Sequence, residues 1–416
     1  MSAPAPTPTS AEPDASPVLL APRPPAGRSR TLRSVTAAGW GLAGAAAVAV
    51  LVGSLTGWRE WLGFGIAGAV VCLLAVLLSL GGFAYEMSMR LSDRRLVVGE
   101  HGQIAVRIRN TSRRRLLPAE LELAVTDRTY AVTLPGLPAL GVHDVLLPVP
   151  TDRRAVLTLG PIAAVRSDPV GLVRRVVSWP FGERVYVVPR TVHTAGALAG
   201  FVRDLEGEES TQRTAADLSF HSLRAYVPGD DRRHISWKKT AVAGGLLVRE
   251  FLETRRSVVV LALSTDLADY AADDPEEEFE LAVSIAASIT TDLVRAGRAV
   301  TTCTAGPDGA DVRGFGVPTV LEQFAALRTA TDGGALTDAV RAGVRRHPDL
   351  SLLIPVFGSR VDAATVHAAY RLRPEGSTVL GLRAELGARG LGWFAPDTVT
   401  VPVLDLLPKL LREASR

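Results

Sequence analysis

The chain has 416 residues, with 46 Lys+Arg against 43 Asp+Glu and a formal net charge of +3, a balance that excludes nucleic acid as a default partner. Its two cysteines, Cys72 and Cys303, exclude a disulfide framework and fit a reducing compartment. A mean hydropathy of +0.20 is high for a soluble protein, and the apolar residues gather near the N-terminus.

Residues 1–34, opening MSAPAPTPTSAEPDASP, are rich in Pro, Ala, Ser and Thr and are expected to be a disordered tail, because they bury too little surface to offset chain entropy. Val35 to Leu55 then run 21 residues without a charge, which as a helix spans about 31 Å, the thickness of a hydrocarbon core. Trp61 to Tyr85 form a second such run, and TGWRE between them allows only a tight reversal. Residues 35–85 thus read as a transmembrane helical hairpin in the lipid bilayer. A cleaved signal peptide fits less well, since the first run is long and a second span follows it. Arg23, Arg28, Arg30 and Arg33 precede the first span and Arg90, Arg94 and Arg95 follow the second. The positive-inside rule then places both termini of a two-span cell-membrane protein in the cytoplasm. Small residues recur at four-residue spacing (Gly41 and Ala45, Gly63 and Ala67, Gly65 and Ala69), which lets helix backbones approach. No ionisable residue interrupts either span before Glu86, which argues against a transport pathway.

The period then changes to two. GQIAVRIRN and AELELAV alternate apolar and polar residues, and further strands are expected at 131–134, 142–149, 155–159, 163–167 and 184–188. Residues 96–195 therefore read as a β-sandwich-like domain. Arg113 to Arg115 follow RNTS; a solvated hairpin loop is the simplest reading, and contact with phosphate or a lipid headgroup is the functional one, because the bilayer is close.

From residue 257 strands alternate with helices. SVVVLAL has the continuous apolar run of a strand covered on both faces. EEEFELAVSIAASITTDLVRAG is an amphipathic helix with acids at its positive end. The strands RAVTTCTA, LSLLIPVFG and GSTVLGLR, with helices at 318–328, 336–346, 363–371 and after Pro402, complete a three-layer α/β domain over 257–416. The fold class is thus an α+β multidomain membrane protein.

Between these domains, residues 196–256 hold FHSLRAYVPGDDRRHISWKKTA and then LLVREF. Pro228 and Gly229 preset a turn, Asp230 or Asp231 can cap the next segment, 235–243 reads as a short helix, and GGLLVREFLE returns as a strand. Folding gathers Arg224, Asp230, Asp231, Arg232, Arg233, His234, Lys238, Lys239, Arg249 and Glu250, whose opposite charges can pair. Trp237 and Tyr226 read as packing residues with one hydrogen bond each. An enzyme reading makes Asp230, Asp231 and Glu250 ligands of a divalent ion in a metal-dependent hydrolase. The spacing does not demand it, since adjacent turn aspartates more often cap and pair. No G-x-S-x-G, Walker loop or H-E-x-x-H occurs.

That signature, with VLTLGPIAAVRSDPVGLVRR before it, resembles the bacterial family known as domain of unknown function 58. The resemblance implies a membrane-anchored protein that accompanies a MoxR-type AAA+ ATPase and carries a region similar to a von Willebrand factor A domain; it implies no enzymatic activity and no cofactor. The chain departs from the family pattern at Ala225, Ser236 and Val242. It departs again after the first strand of the α/β domain, where D-x-S-x-S would hold Mg²⁺: here STDLA places Ser264, Asp266 and Ala268, a degenerate motif lacking the anionic oxygens that hard cations need. The expected function is a non-catalytic membrane adaptor or scaffold that partners the ATPase in assembly or maturation of other proteins. Arg224, Tyr226, Pro228, Gly229, Asp230, Asp231, Arg232, Arg233, Trp237 and Lys238 would form its docking loop. The hydrolase and a purely structural cell-envelope protein are the alternatives, and a homo-oligomer is left open.

Overall fold

The two apolar runs are helices α1 (Ala37–Thr56) and α2 (Arg59–Ser79), both long and apolar enough to cross a membrane. The computed structural model describes residues 32–79, 83–91, 93–194, 197–198, 218–228, 230, 232–253, 258–271, 273–306, 311–330, 332–388 and 393–414. Contacts divide the chain into Met1–Val188 and Pro189–Arg416.

In the first unit Gly57, at φ 74°, closes α1 by donating to the Gly53 carbonyl, so only Gly57 and Trp58 separate the helices. The backbones then run close. A Cβ on Gly65 would lie 2.8 Å from Val50 N and 2.9 Å from Ala46 O, whereas one on Gly41 or Gly63 would meet nothing within 4 Å. Of the small-residue pairs, Gly65 serves the hairpin's own seam, while Gly41 and Gly63 lie on its outside.

Both ends of the predicted hairpin need correction. Residues 32–34 of the expected tail belong to strand β1 (Leu32–Val35), and Tyr85 opens strand β2 (Tyr85–Leu91) instead of ending a helix. Glu86 accordingly sits in a strand, 3.9 Å from Arg109. The remaining strands of this unit are β3 (Arg95–Val97), β4 (Gly102–Asn110), β5 (Ala119–Val125), β6 (Arg128–Leu134), β7 (Val142–Val149), β8 (Ala155–Ser167), β9 (Val173–Trp179) and β10 (Glu183–Val188). They form a sandwich. One sheet has the order β2-β4-β7; the other runs β1-β9-β8-β10-β3, with β5 on β8 and β6 on β5. The alternation of β4 turns Ile104, Val106 and Ile108 inward against Leu123, Leu159, Ile162 and Val185 of the facing sheet. Each such side chain removed from water contributes about 1.5–3 kcal/mol. The two strands expected at 155–159 and 163–167 are one. Gly160 and Pro161 bend β8 where it changes neighbour, from β10 before the bend to β9 after it.

The second unit begins earlier than expected from the sequence. Val192 N donates to Ser288 Oγ at 3.0 Å, and residues 189–194 belong with the α/β domain. Strands β11 (Leu218–Ala225) and β12 (Leu247–Glu253) pair antiparallel and flank helix α3 (Trp237–Ala243). Beyond them come β13 (Val259–Leu263), α4 (Pro275–Arg295), β14 (Val300–Cys303), α5 (Val317–Ala326), α6 (Leu336–Arg346), β15 (Leu352–Phe357), α7 (Ala363–Tyr370), β16 (Thr378–Val379), β17 (Gly381–Ala384), β18 (Trp393–Ala395), β19 (Thr398–Val401) and α8 (Leu407–Ala414). The sheet order is β14-β13-β15-β17-β19-β18, parallel except for β18. Successive residues of β13 face opposite layers: Val259, Leu261 and Leu263 pack with α4, α5 and α8, and Val260 and Ala262 with α6 and α7. That two-sided burial explains the unbroken apolar run in SVVVLAL.

Candidate functional site

Two places gather the residues singled out in the sequence: the excursion between β11 and β12, and the crest of the parallel sheet where β13 and β15 end.

The excursion is held mainly by its own backbone. Tyr226 N donates to Leu246 O at 2.9 Å and Ser236 N to Leu247 O at 2.8 Å, drawing its two ends together. Asp230 Oδ2 accepts from Val227 N at 2.9 Å while Asp230 N donates to Val227 O at 3.0 Å, so this carboxylate braces the Pro228 turn. Residues 232–234 make a single 3₁₀ turn and α3 starts at Trp237, two residues later than the helix expected at 235–243. Ile235 and Val248 are buried and bridged. Trp237, expected to pack, is instead 65% exposed, and Val242 is 84% exposed. Arg232, Arg233, Lys238 and Lys239 are exposed as well, and Tyr226 is half-buried. The result is a surface that mixes an indole, an aliphatic side chain and cations.

Gly229 and Asp231 lie outside the described residues, as do the side chains of Arg224, His234, Arg249 and Glu250. The backbone places Glu250 opposite Ser222 and Arg224 opposite Val248 in the β11–β12 ladder. The hydrolase reading thus meets one described carboxylate, that of Asp230, already engaged by Val227.

At the crest the sheet reverses its winding between β13 and β15, the place where ligands enter open α/β sheets. Here the protein fills it. Ser264, fully buried, donates from Oγ to Asp269 Oδ2 at 2.6 Å, and Leu336 N, at the start of α6, donates to the same oxygen at 3.0 Å. Burial raises the Asp269 carboxyl above its ordinary value, more than the bonds from Ser264 and Leu336 lower it. Asp266 caps its own turn by accepting from Ala268 N at 2.9 Å, and Ala268 is exposed. Tyr270 OH donates to Ser264 O at 2.6 Å, and a Cβ on Gly358 would come within 2.4 Å of Asp269 O, so the two crest loops touch along their backbones. Among the described residues no group of three or more His, Cys, Asp or Glu side chains is placed to hold a metal ion.

One crest residue escaped the sequence reading. Glu278, 1% exposed on α4, accepts from Ser359 N at 2.6 Å, Ser359 Oγ at 3.0 Å and Ala271 N at 3.1 Å. It joins the loop after β13 to the loop after β15. In the sequence it is one of three consecutive glutamates, and nothing there separates a buried clamp from a helix-dipole charge. Arg383 closes the group by donating to Ser359 O at 2.6 Å, pairing with Glu385 and stacking on Phe394. A groove of about 1550 Å³ lies at the other end of the sheet, beside α7 and lined by His367, Arg371 and Arg373; it gathers no residue singled out in the sequence.

A search of the curated proteins finds no match to the chain. Residues 222–311, from within β11 through the excursion and the first strand–helix–strand of the parallel sheet, match the model of a family described as Protein of unknown function DUF58. The buried frame of Ile235 and Val248, the excursion and β13 all fall inside that match, so this segment of the chain is similar to the DUF58 family and supports a reading of the chain as a member of it.

Proposed function

We propose that this protein is a membrane-anchored, non-catalytic adaptor whose β11–β12 excursion docks a MoxR-type AAA+ ATPase on the cytoplasmic face. The observation that carries the reading is the exposure of Trp237 and Val242 beside Arg232, Arg233, Lys238 and Lys239, within the family-matched segment. An exposed indole in a segment rich in exposed cations costs solvation in the free chain and supplies an anchor once covered, while the charges steer an acidic partner. The α/β domain, similar in expectation to a von Willebrand factor A domain, would act as scaffold; the crest supports this, since its carboxylates hold its own loops. The positive-inside arginines support cytoplasmic termini.

The test is capture of a purified MoxR-type ATPase by membranes carrying the full chain. Charge reversal of Arg232 and Arg233 is expected to weaken capture by about tenfold through slower association. Trp237→Ala is expected to weaken it by a similar factor through faster release. Capture equal to that of the unaltered chain would overturn the assignment.

A further inference from the structure

We propose that the end of the β-sandwich from which α1 and α2 depart is a docking surface for anionic phospholipid headgroups; this rests on α1 and α2 spanning the bilayer.

Strand direction decides which loops lie at that end. Val35 is opposite Val173, Tyr85 opposite Asn110, Arg109 opposite Val142 and Glu120 opposite Val165. The β4–β5 loop (111–118), the β6–β7 loop (135–141) and the β8–β9 loop (168–172) therefore share the end where α1 starts and the chain returns from α2. Hydrogen bonds fix them there. Thr36 N donates to Leu172 O at 2.9 Å and Thr36 Oγ1 to Gly171 O at 2.8 Å, tying the first turn of α1 to one loop. Thr111 N donates to Ala84 O at 2.8 Å, tying the return from α2 to another, and Leu140 N donates to Ser112 O at 3.2 Å, joining the third. Phe83 is flanked by the guanidinium groups of Arg166 and Arg175 at 4.8 and 5.0 Å, and Arg166 donates to Leu117 O at 3.0 Å.

The chemistry of this end is one-sided. The three loops contain Arg113, Arg114 and Arg115, all exposed, and their single acid, Asp168, is 4% exposed and accepts from Val170 N and Val173 N. The loops at the opposite end carry Asp93, Glu100, Asp127 and Asp152 among their arginines. Each of the three helix-side loops also presents one large apolar side chain: Leu117 at 51%, Leu140 at 55% and Val170 at 65% exposure. Leu140 is held at φ 59°, a conformation leucine seldom adopts. Aliphatic tips among guanidinium groups suit the boundary between acyl chains and phosphates, where the tips leave water and each planar fork meets phosphate oxygens. The bilayer entered by the two helices is the surface in reach, and negative charge on its lipids complements the arginines.

The test uses the full chain in vesicles of phosphatidylcholine, with or without phosphatidylglycerol, and reads amide hydrogen exchange at 111–118, 135–141 and 168–172, with 150–154 as the far-end reference. Phosphatidylglycerol is expected to slow exchange in the three loops by about fivefold or more, reversibly at high salt and not at 150–154. Replacing Arg113, Arg114 and Arg115 together by Ser should abolish the slowing, and the comparison of lipids on the unaltered chain needs no variant. Equal exchange in both vesicles, slowing that survives the triple replacement, or the same slowing produced by inorganic phosphate in phosphatidylcholine vesicles would overturn the headgroup site. Carbonate washing separates the two levels. A chain that washes off the vesicles refutes the spans and the proposal with them; one that stays but exchanges equally refutes the headgroup contact alone.

Discussion

The Ser264 hydroxyl donates to the Asp269 carboxylate across 2.6 Å, and that carboxylate also receives the first amide of α6. One side chain therefore joins the exit of β13 to the entry of a helix that lies more than sixty residues further along the sequence. Asp269→Ala leaves the helix-start amide of Leu336 short of an acceptor and the buried Ser264 hydroxyl with only its longer bond to Gly334 O at 3.3 Å, and is expected to cost about 1–3 kcal/mol in denaturant unfolding of the full chain in detergent. The pH dependence has a definite sign. The folded carboxyl keeps its proton to higher pH than the unfolded one, whose ordinary value is 3.8. Its contribution to stability is then full below 3.8 and declines as pH rises through the folded pKa. Asp269→Asn should flatten that part of the profile.

Asp292 behaves in the opposite way. Burial alone would raise it, but bonds from Thr194 and His193 outweigh burial and lower it below the ordinary 3.8. It accepts from Thr194 N, from Thr194 Oγ1 at 2.7 Å, and pairs with His193 Nδ1 at 2.8 Å, holding residues 193–194 on α4. This contribution is present above 3.8 and is lost as pH falls through the folded pKa. Asp292→Ala is expected to cost about 1–3 kcal/mol and to speed hydrogen exchange selectively at 190–194.

The seam between α1 and α2 separates two glycines of similar sequence context. Gly65→Leu drives a side chain into the α1 backbone and should destabilise the hairpin by about 1–3 kcal/mol. Gly63→Leu meets nothing within 4 Å and should not. Comparing the melting of the two variants in detergent checks this; equal behaviour would contradict the described seam.

Cys303 is fully buried in β14, and burial pushes its thiol up to about 12. At neutral or mildly alkaline pH it remains a thiol, so alkylation should wait for unfolding. Mass spectrometry of the alkylated Cys303 peptide with and without denaturant reads this directly.

Legibility in the sequence tracks the physics of each element. α1, α2, α4 and β13 were readable because each carries its signal locally, as an uncharged run, a 3.6-residue stripe or a continuous apolar block. β1 was not: LRSV lies in a Pro-rich tail and becomes a strand only because β9 offers its edge. β9, VRRVVSW, and the pair β18 and β19 are short or rich in arginine and polar residues, and tertiary pairing overrides that composition. The turn at Pro228 was readable from its residue types, whereas the exposure of Trp237 was not, since an indole's environment depends on what else packs nearby. The partnership of Asp269 with Leu336 and the clamp at Glu278 span distant segments and have no local pattern to betray them.

The margins of the parallel sheet carry a last consequence. Among the described residues, the outermost strand on one flank, β18, is three residues long and antiparallel to β19; on the other, β14 is four residues long and is bridged on its outer side between Thr302 and Val312. Neither flank offers another chain a long straight template for strand addition. Copies brought side by side at high concentration should therefore resist zipping into fibrils through this domain.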